Sequence, residues 1–384
     1  MNSPASPQKT RIAVLDGLRG LAIVLVLVHH FIDPLFSQVP GTLSAYGHPV
    51  FHLAFAGVDL FFVLSGFFIG GNLFDHHAAP NLYRVFYFRR GLRILPLAFL
   101  FIGIVFCFWS SGIYRDQTLD RPDHPLVYLT FTSNIVSAVK NNWGFGPLAV
   151  LWSLAIEEQF YLIAPWLVRL CGPARFLHLS ITFIVTAILS RLLLAALLPL
   201  PSLAVHMIPF CRFDGFGFGF LAAWFVRQPS WKEQIACHYR LLILVWTTLA
   251  GGLVALSLAR ASAGGGALAY FGYTVIAAFC ALSLVLLLNE KDSLIRRLFS
   301  SNIATGFGRY SYFIYLFQGT VIGLTLSIFH GKGLSLRPPQ NWYEALTIPI
   351  ACYITGWLSW KTLEGPLTRL GQSVRYKASE VAAA

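Results

Sequence analysis

The chain has 384 residues, 56% of them hydrophobic and only 11% charged, with a formal net charge of +12. Soluble domains carry about 25% charged residues, so the composition excludes a soluble globular protein and points to an all-α, polytopic membrane protein. The six cysteines form no C-x-x-C pair and mostly sit in apolar runs, which argues against a disulfide framework or a zinc site, and no metal site is expected.

The first apolar element is "LDGLRGLAIVLVLVHH", residues 15–30. A cleaved signal peptide would need a small-residue site soon after it; "FIDPLFSQVP" follows instead, so this segment reads as an uncleaved first helix. A hydrocarbon core of about 30 Å takes about 20 apolar helical residues. On that measure ten spans are expected, at 12–33, 51–73, 94–111, 148–168, 176–198, 207–226, 241–259, 267–288, 310–330 and 344–361. With the N-terminus inside, Lys and Arg in inside loops outnumber those in outside loops roughly threefold, which predicts both termini in the cytosol. The positive charge is then a topology signal, and nucleic acid is not an expected partner; the lipid bilayer is. A single membrane domain over 1–384 is expected, with cytosolic tails at 1–11 and 365–384 and no appended extracytoplasmic domain.

Ionisable groups within spans are costly and usually face a protein interior or a wet cavity. Arg19 and His30 are eleven residues apart, which puts them about 20° from the same helical face and about 16 Å apart along the axis. His29 points about 80° away from Arg19. His30 is therefore the expected partner of whatever cavity Arg19 lines, and neutral imidazole suits a general base. Asp16 lies near Arg19 in sequence and Asp214 near Arg212, so each cation has a nearby acid; Arg191 could pair or snorkel. Asp59 lies in the second span, and Glu157 and the adjacent Glu158 in the fourth; each is either a structural partner or a group that orients Arg19 or His30. Glycines 215, 217 and 219 in "RFDGFGFGF" permit close helix packing.

"LDGLRG" with Arg19, ten residues and then His30 resembles the first helix of the acyltransferase-3 family of membrane O-acyltransferases. Further blocks agree in order: "GVDLFFVLSGFFIG" at 57–70, the basic loop "FYFRRGLRILP" at 86–96, "LWSLAIEEQFYLIAPWL" at 151–167, opened by Trp152 and Ser153, and "GRYSYFIYLFQ" at 308–318 with "LEGP" at 363–366. The resemblance implies transfer of an acyl group, most simply acetyl, from acyl-CoA to a hydroxyl of a sugar, a lipid-linked glycan or a glycosylated small molecule. It implies no permanently bound cofactor, acyl-CoA being a co-substrate, and a place in the bacterial inner membrane. It puts the catalytic positions on His30, Arg19 and Glu157 and the donor-binding arginines on Arg89, Arg90 and Arg93. Tyr312, inside the C-terminal block, could bond a substrate, though packing explains it too. The family often has a histidine where this chain has Gln318. A transporter with an intramembrane Arg, Asp and Glu path is the competing class, but the sequence lacks the internal repeats expected of one.

Overall fold

The computed structural model describes residues 13–36, 51–113, 121–198, 203–263, 268–290, 293–330 and 342–377. Among the described residues there are helices and no strands. The principal helices are α1 (Ala13–Phe31), α2 (Gly57–His76), α3 (Leu82–Ser110), α4 (Leu151–Cys171), α5 (Phe176–Leu197), α6 (Phe213–Phe225), α7 (Trp231–Ala263), α8 (Tyr273–Asn289), α9 (Asn302–His330), α10 (Trp342–Ser359) and α11 (Gly365–Ser373). Shorter helical turns connect them.

Seven of these helices, α1, α2, α3, α5, α7, α8 and α9, are long and apolar enough to cross a membrane. The chain is an all-α, multi-pass membrane protein. The other three predicted spans coincide with α4, α6 and α10. α4 carries Glu157 and Glu158, and α6 has only 13 residues, or about 20 Å of helix, short of the hydrocarbon core on its own.

The largest departure from the predicted elements is α3. Hydropathy places its start at 94, yet the helix begins at Leu82. "FYFRRGLRILP" is therefore helical rather than a loop, and Pro96 lies within the same helix. Hydropathy registers only the lipid-facing part of such a helix, while its arginine-bearing first turns read as polar. The consequence is geometric: Arg89, Arg90 and Arg93 project from a fixed scaffold.

Two crossings organise the bundle, α1 with α9 and α2 with α6. Glycine makes both possible. A Cβ on Gly308 would lie 1.8 Å from the Asp16 carbonyl oxygen, and one on Gly20 would lie 2.1 Å from that of Ala304. At the second crossing a Cβ on Gly219 would meet the Val63 carbonyl at 2.2 Å. Backbones this close gain dispersion and need no side chain between them. The packing reading of the glycines in "RFDGFGFGF" therefore holds for Gly219. Beside this crossing, Phe216 of α6 stacks on Phe160 of α4 with ring centroids 4.0 Å apart. Few α7 side chains are buried, so α7 lies at the periphery of the bundle.

Candidate active site

α1, α2, α3, α4 and α9 surround a cavity of about 800 Å³. Three guanidinium groups, from Arg19, Arg90 and Arg93, line it with a single carboxylate, Glu157. Hydroxyls supply most of the remaining polarity. The Ser65 and Tyr161 hydroxyls both donate to the Glu157 carboxylate. Ser153 Oγ and Tyr315 OH lie 2.5 Å apart. Tyr312 OH donates to the Ile94 carbonyl at 2.8 Å, which ties α9 to α3. With more cations than anions, the chamber favours an anionic occupant.

A second cavity of about 550 Å³ adjoins it, lined by Asn72, Arg89, Gln372 and Tyr376 among others, and Arg90 and Arg93 line both spaces. The two therefore meet at these arginines. The chain's last described residues border this second space. Arg89 donates to the Val374 carbonyl from Nε at 3.0 Å and Nη2 at 2.7 Å, and its guanidinium lies 5.0 Å from the centre of the Tyr376 ring. Tyr376 OH in turn donates to Asn72 Oδ1 at 2.7 Å. Arg90 sits 5.4 Å from the centre of the Tyr161 ring.

Glu364, just beyond the last predicted span, is buried and accepts a bond from Ser359 Oγ at 2.9 Å. Burial pushes its carboxyl up to about 7, against the Ser359 bond and the positive charges of Arg93 and Arg19.

His30 lies elsewhere. It shares a face of α1 with Arg19 but not its depth, and it is exposed at the end of the helix rather than among the residues that line the cavity. The expectation of one shared cavity fails on that axial separation. Its Nδ1 lies 2.8 Å from the Val26 carbonyl. A carbonyl only accepts, so Nδ1 carries the proton, and in the neutral ring Nε2 keeps its lone pair. His29 turns away, as the register predicts, towards Asp33 and His52.

The family's sequence profile, described as an acyltransferase domain, matches residues 12–360. The chain belongs to this acyltransferase family. Among its relatives, the peptidoglycan O-acetyltransferase OatA of Listeria monocytogenes is 33% identical over 159 residues, covering 39% of this chain and 23% of the relative. The putative peptidoglycan O-acetyltransferase YrhL of Bacillus subtilis is 36% identical over the same shares of each chain. A putative O-acetyltransferase of Staphylococcus aureus is 29% identical, with 39% of this chain and 24% of the relative covered. The match thus spans about a quarter of the length of these relatives. No solved structure matches the chain. Seven apolar helices and bacterial relatives agree with a multi-pass protein of the bacterial cell membrane.

In this chain the structure regroups several predicted site residues. Arg212 does not pair with Asp214, its neighbour in sequence. Its Nη2 lies 2.6 Å from Asp59 Oδ1 on α2, and its guanidinium lies 3.8 Å from the Tyr273 ring centre. Asp214 instead pairs with Arg191 at 2.9 Å and accepts from Thr274 Oγ1 at 2.8 Å. Residues two apart near a helix start point about 200° apart, so they meet different neighbours. All four groups are buried, and none is among the residues lining the two cavities. Asp16 is buried where α1 crosses α9. Trp152 is buried against the His206 ring, with centroids 4.3 Å apart. Glu158, beside Glu157 in sequence, has a buried Oε1 with no hydrogen-bond partner among the described residues. Gln318 is buried and donates to the Tyr315 carbonyl at 3.3 Å.

Sequence reasoning passed over Ser65, Tyr161 and Glu364 as site residues, while Tyr315, like Tyr312, reads either as bonding a substrate or as packing. All four lie within the blocks that carry the family resemblance, so a polar residue inside those blocks was the available signal.

Proposed function

We propose that this protein transfers an acyl group, most simply acetyl, from acyl-CoA to a hydroxyl of a sugar or glycosylated acceptor. One observation carries the reading: the two adjoining cavities share Arg90 and Arg93, and Arg19 and Arg89 extend the positive lining into each of them. Coenzyme A is a polyanion at one end and a thioester at the other, joined by a long, flexible, largely uncharged arm. Guanidinium forks suit its phosphates, and a hydroxyl-lined chamber suits the arm. In the orientation predicted from the loop charges, the Arg89 cavity opens towards the cytosol, where the donor is made.

His30 is the proposed general base. The bond from Nδ1 to Val26 leaves Nε2 to take the acceptor hydroxyl's proton as oxygen attacks the thioester carbonyl. The thiolate of CoA leaves, and the imidazolium returns its proton to it or to water. Arg19 lies too deep to share that step and is assigned to the donor. Glu157, held by Ser65 and Tyr161, fixes the wall against which the donor arm lies. The names of the relatives favour a cell-wall sugar as acceptor, with the glycan class left to the experiment.

Membranes carrying the protein, given acetyl-CoA labelled in the acetyl group, should move label into a glycan or glycoside fraction, and membranes without it should not. Label that stays in CoA with every class of sugar acceptor supplied would overturn the reading.

A further inference from the structure

We propose that His29, Asp33 and His52 form a binding site for a divalent transition-metal ion, zinc in its donor chemistry, at the carboxy-terminal end of α1. This site is separate from the arginine cavity and does not depend on the identity of the acyl donor or acceptor.

The three residues come from distinct pieces of chain. His29 is in the last turn of α1, and Asp33 opens a short 3₁₀ turn (Asp33–Leu35) in which Pro34 follows directly. His52 immediately precedes another 3₁₀ turn (Leu53–Ala56). Nδ1 of His52 lies 3.1 Å from Asp33 Oδ2, and Nδ1 of His29 lies 3.7 Å from the same oxygen. One potential ligand atom from each residue lies within 4.8 Å of the others. The two rings are 5.3 Å apart and 68° from parallel, so they converge on the carboxylate rather than stack.

These separations can be set against coordination geometry. With bonds of about 2.0–2.1 Å to nitrogen and oxygen, neighbouring ligand atoms of a tetrahedral zinc ion lie about 3.3 Å apart. The 3.1 and 3.7 Å separations bracket that value. Two imidazoles and a carboxylate are also the ligand set that borderline cations prefer over the hard calcium and magnesium ions. A hydrogen bond needs one imidazole on the oxygen, and here two bring the same ring nitrogen to it. The Asp33 carboxylate is mostly buried, while the imidazoles are about a quarter accessible, which gives the ion a route in.

Three protein ligands leave a fourth position for water or a substrate oxygen, the pattern of catalytic rather than structural zinc. The His30 ring lies 5.2 Å from that of His29. A hydroxyl held in the open position would lose its proton more readily, beside the proposed base. The cysteine pattern hides such a site, because its donors are histidines and one of them is nineteen residues from the carboxylate.

The test reads metal, not activity. Detergent-purified protein is stripped with a chelator, supplied with one equivalent of Zn²⁺, desalted and measured by elemental mass spectrometry. Wild type and His30→Ala should each hold about one ion per chain, and Asp33→Asn and His52→Ala less than about a tenth of that. Should those variants fail to reach the membrane, His52→Cys and Asp33→Glu, which keep a donor atom, should bind Co²⁺ with visible absorption bands shifted from those of wild type. A wild-type protein that emerges metal-free, or variants that retain as much as wild type, would overturn the site. Loss of acyl transfer with metal still bound would count against the proposed activity and leave the site standing.

Discussion

Two sets of charges lie within this helix bundle, and they are handled in opposite ways. Arg191 with Asp214 and Arg212 with Asp59 form close pairs, all four side chains buried among α2, α5, α6 and α8. Arg19, Arg90 and Arg93 line a cavity in which Glu157 is the one carboxylate, itself already bonded to two hydroxyls. The first set neutralises itself, and the second lines a cavity with more guanidinium groups than carboxylates. Both sets read alike in the sequence as ionisable residues in apolar segments. What separates them is whether the charges close on one another across a helix interface or line a cavity. An intramembrane charge is thus a pointer to function only after its partner is known.

His30→Ala, outside both sets, gives the largest expected effect on activity. Removal of the base should lower acyl transfer by roughly 10²–10⁴-fold. His30→Gln should do no better, because an amide cannot take the proton. The measurement is labelled acetyl transfer, normalised to the amount of protein in the membrane. Near-normal turnover in either variant would move the base elsewhere.

The closed set should fail differently. Arg212→Met leaves Asp59 buried without its cation and should cost about 3–5 kcal/mol, seen as loss of protein from the membrane or a lower Tm in detergent. The double variant Asp59→Leu with Arg212→Met removes both charges and should recover most of that stability, since a buried pair is often replaceable by apolar side chains. If the double variant folds but cannot transfer acyl groups, these residues belong with the open set and the division drawn here is wrong.

Much of the fold was legible in the sequence, while the division between the two charge sets was hidden for a physical reason. Hydropathy located a helix at every predicted span, because a bilayer imposes a length. The spaced motifs singled out Arg19, Arg90, Arg93 and Glu157, and the structure brings the four around one cavity. The eleven-residue register gave the direction of Arg19 and His30 correctly, yet direction is only half of position, and the axial distance separates them. The pairing of Arg212 with Asp59 crosses 153 residues, and no local spacing encodes a contact between helices. The early start of α3 was hidden because its first turns are polar, so a hydropathy window ends where the helix does not.

The smallest effect distinguishes among the three arginines of α3. Taken as a block they resemble one donor-binding motif, and each is a plausible phosphate ligand by charge. Arg90 and Arg93 line both cavities, while Arg89 lines only the second. Two N–H groups of Arg89 are already committed to the Val374 carbonyl, and its flat face lies over Tyr376. A guanidinium has five donors in a fixed fork, so holding the chain end leaves Arg89 fewer for a phosphate. Arg90→Gln and Arg93→Gln should each raise the KM for acyl-CoA by about tenfold with kcat little changed, the signature of lost ground-state binding. Arg89→Gln should raise it by no more than about threefold. Its larger effect should be on the chain end, seen as faster proteolysis after residue 373 in the membrane-embedded protein. An Arg89→Gln variant with the largest KM of the three and an unchanged cleavage pattern would show that the chain end yields its arginine when the donor arrives.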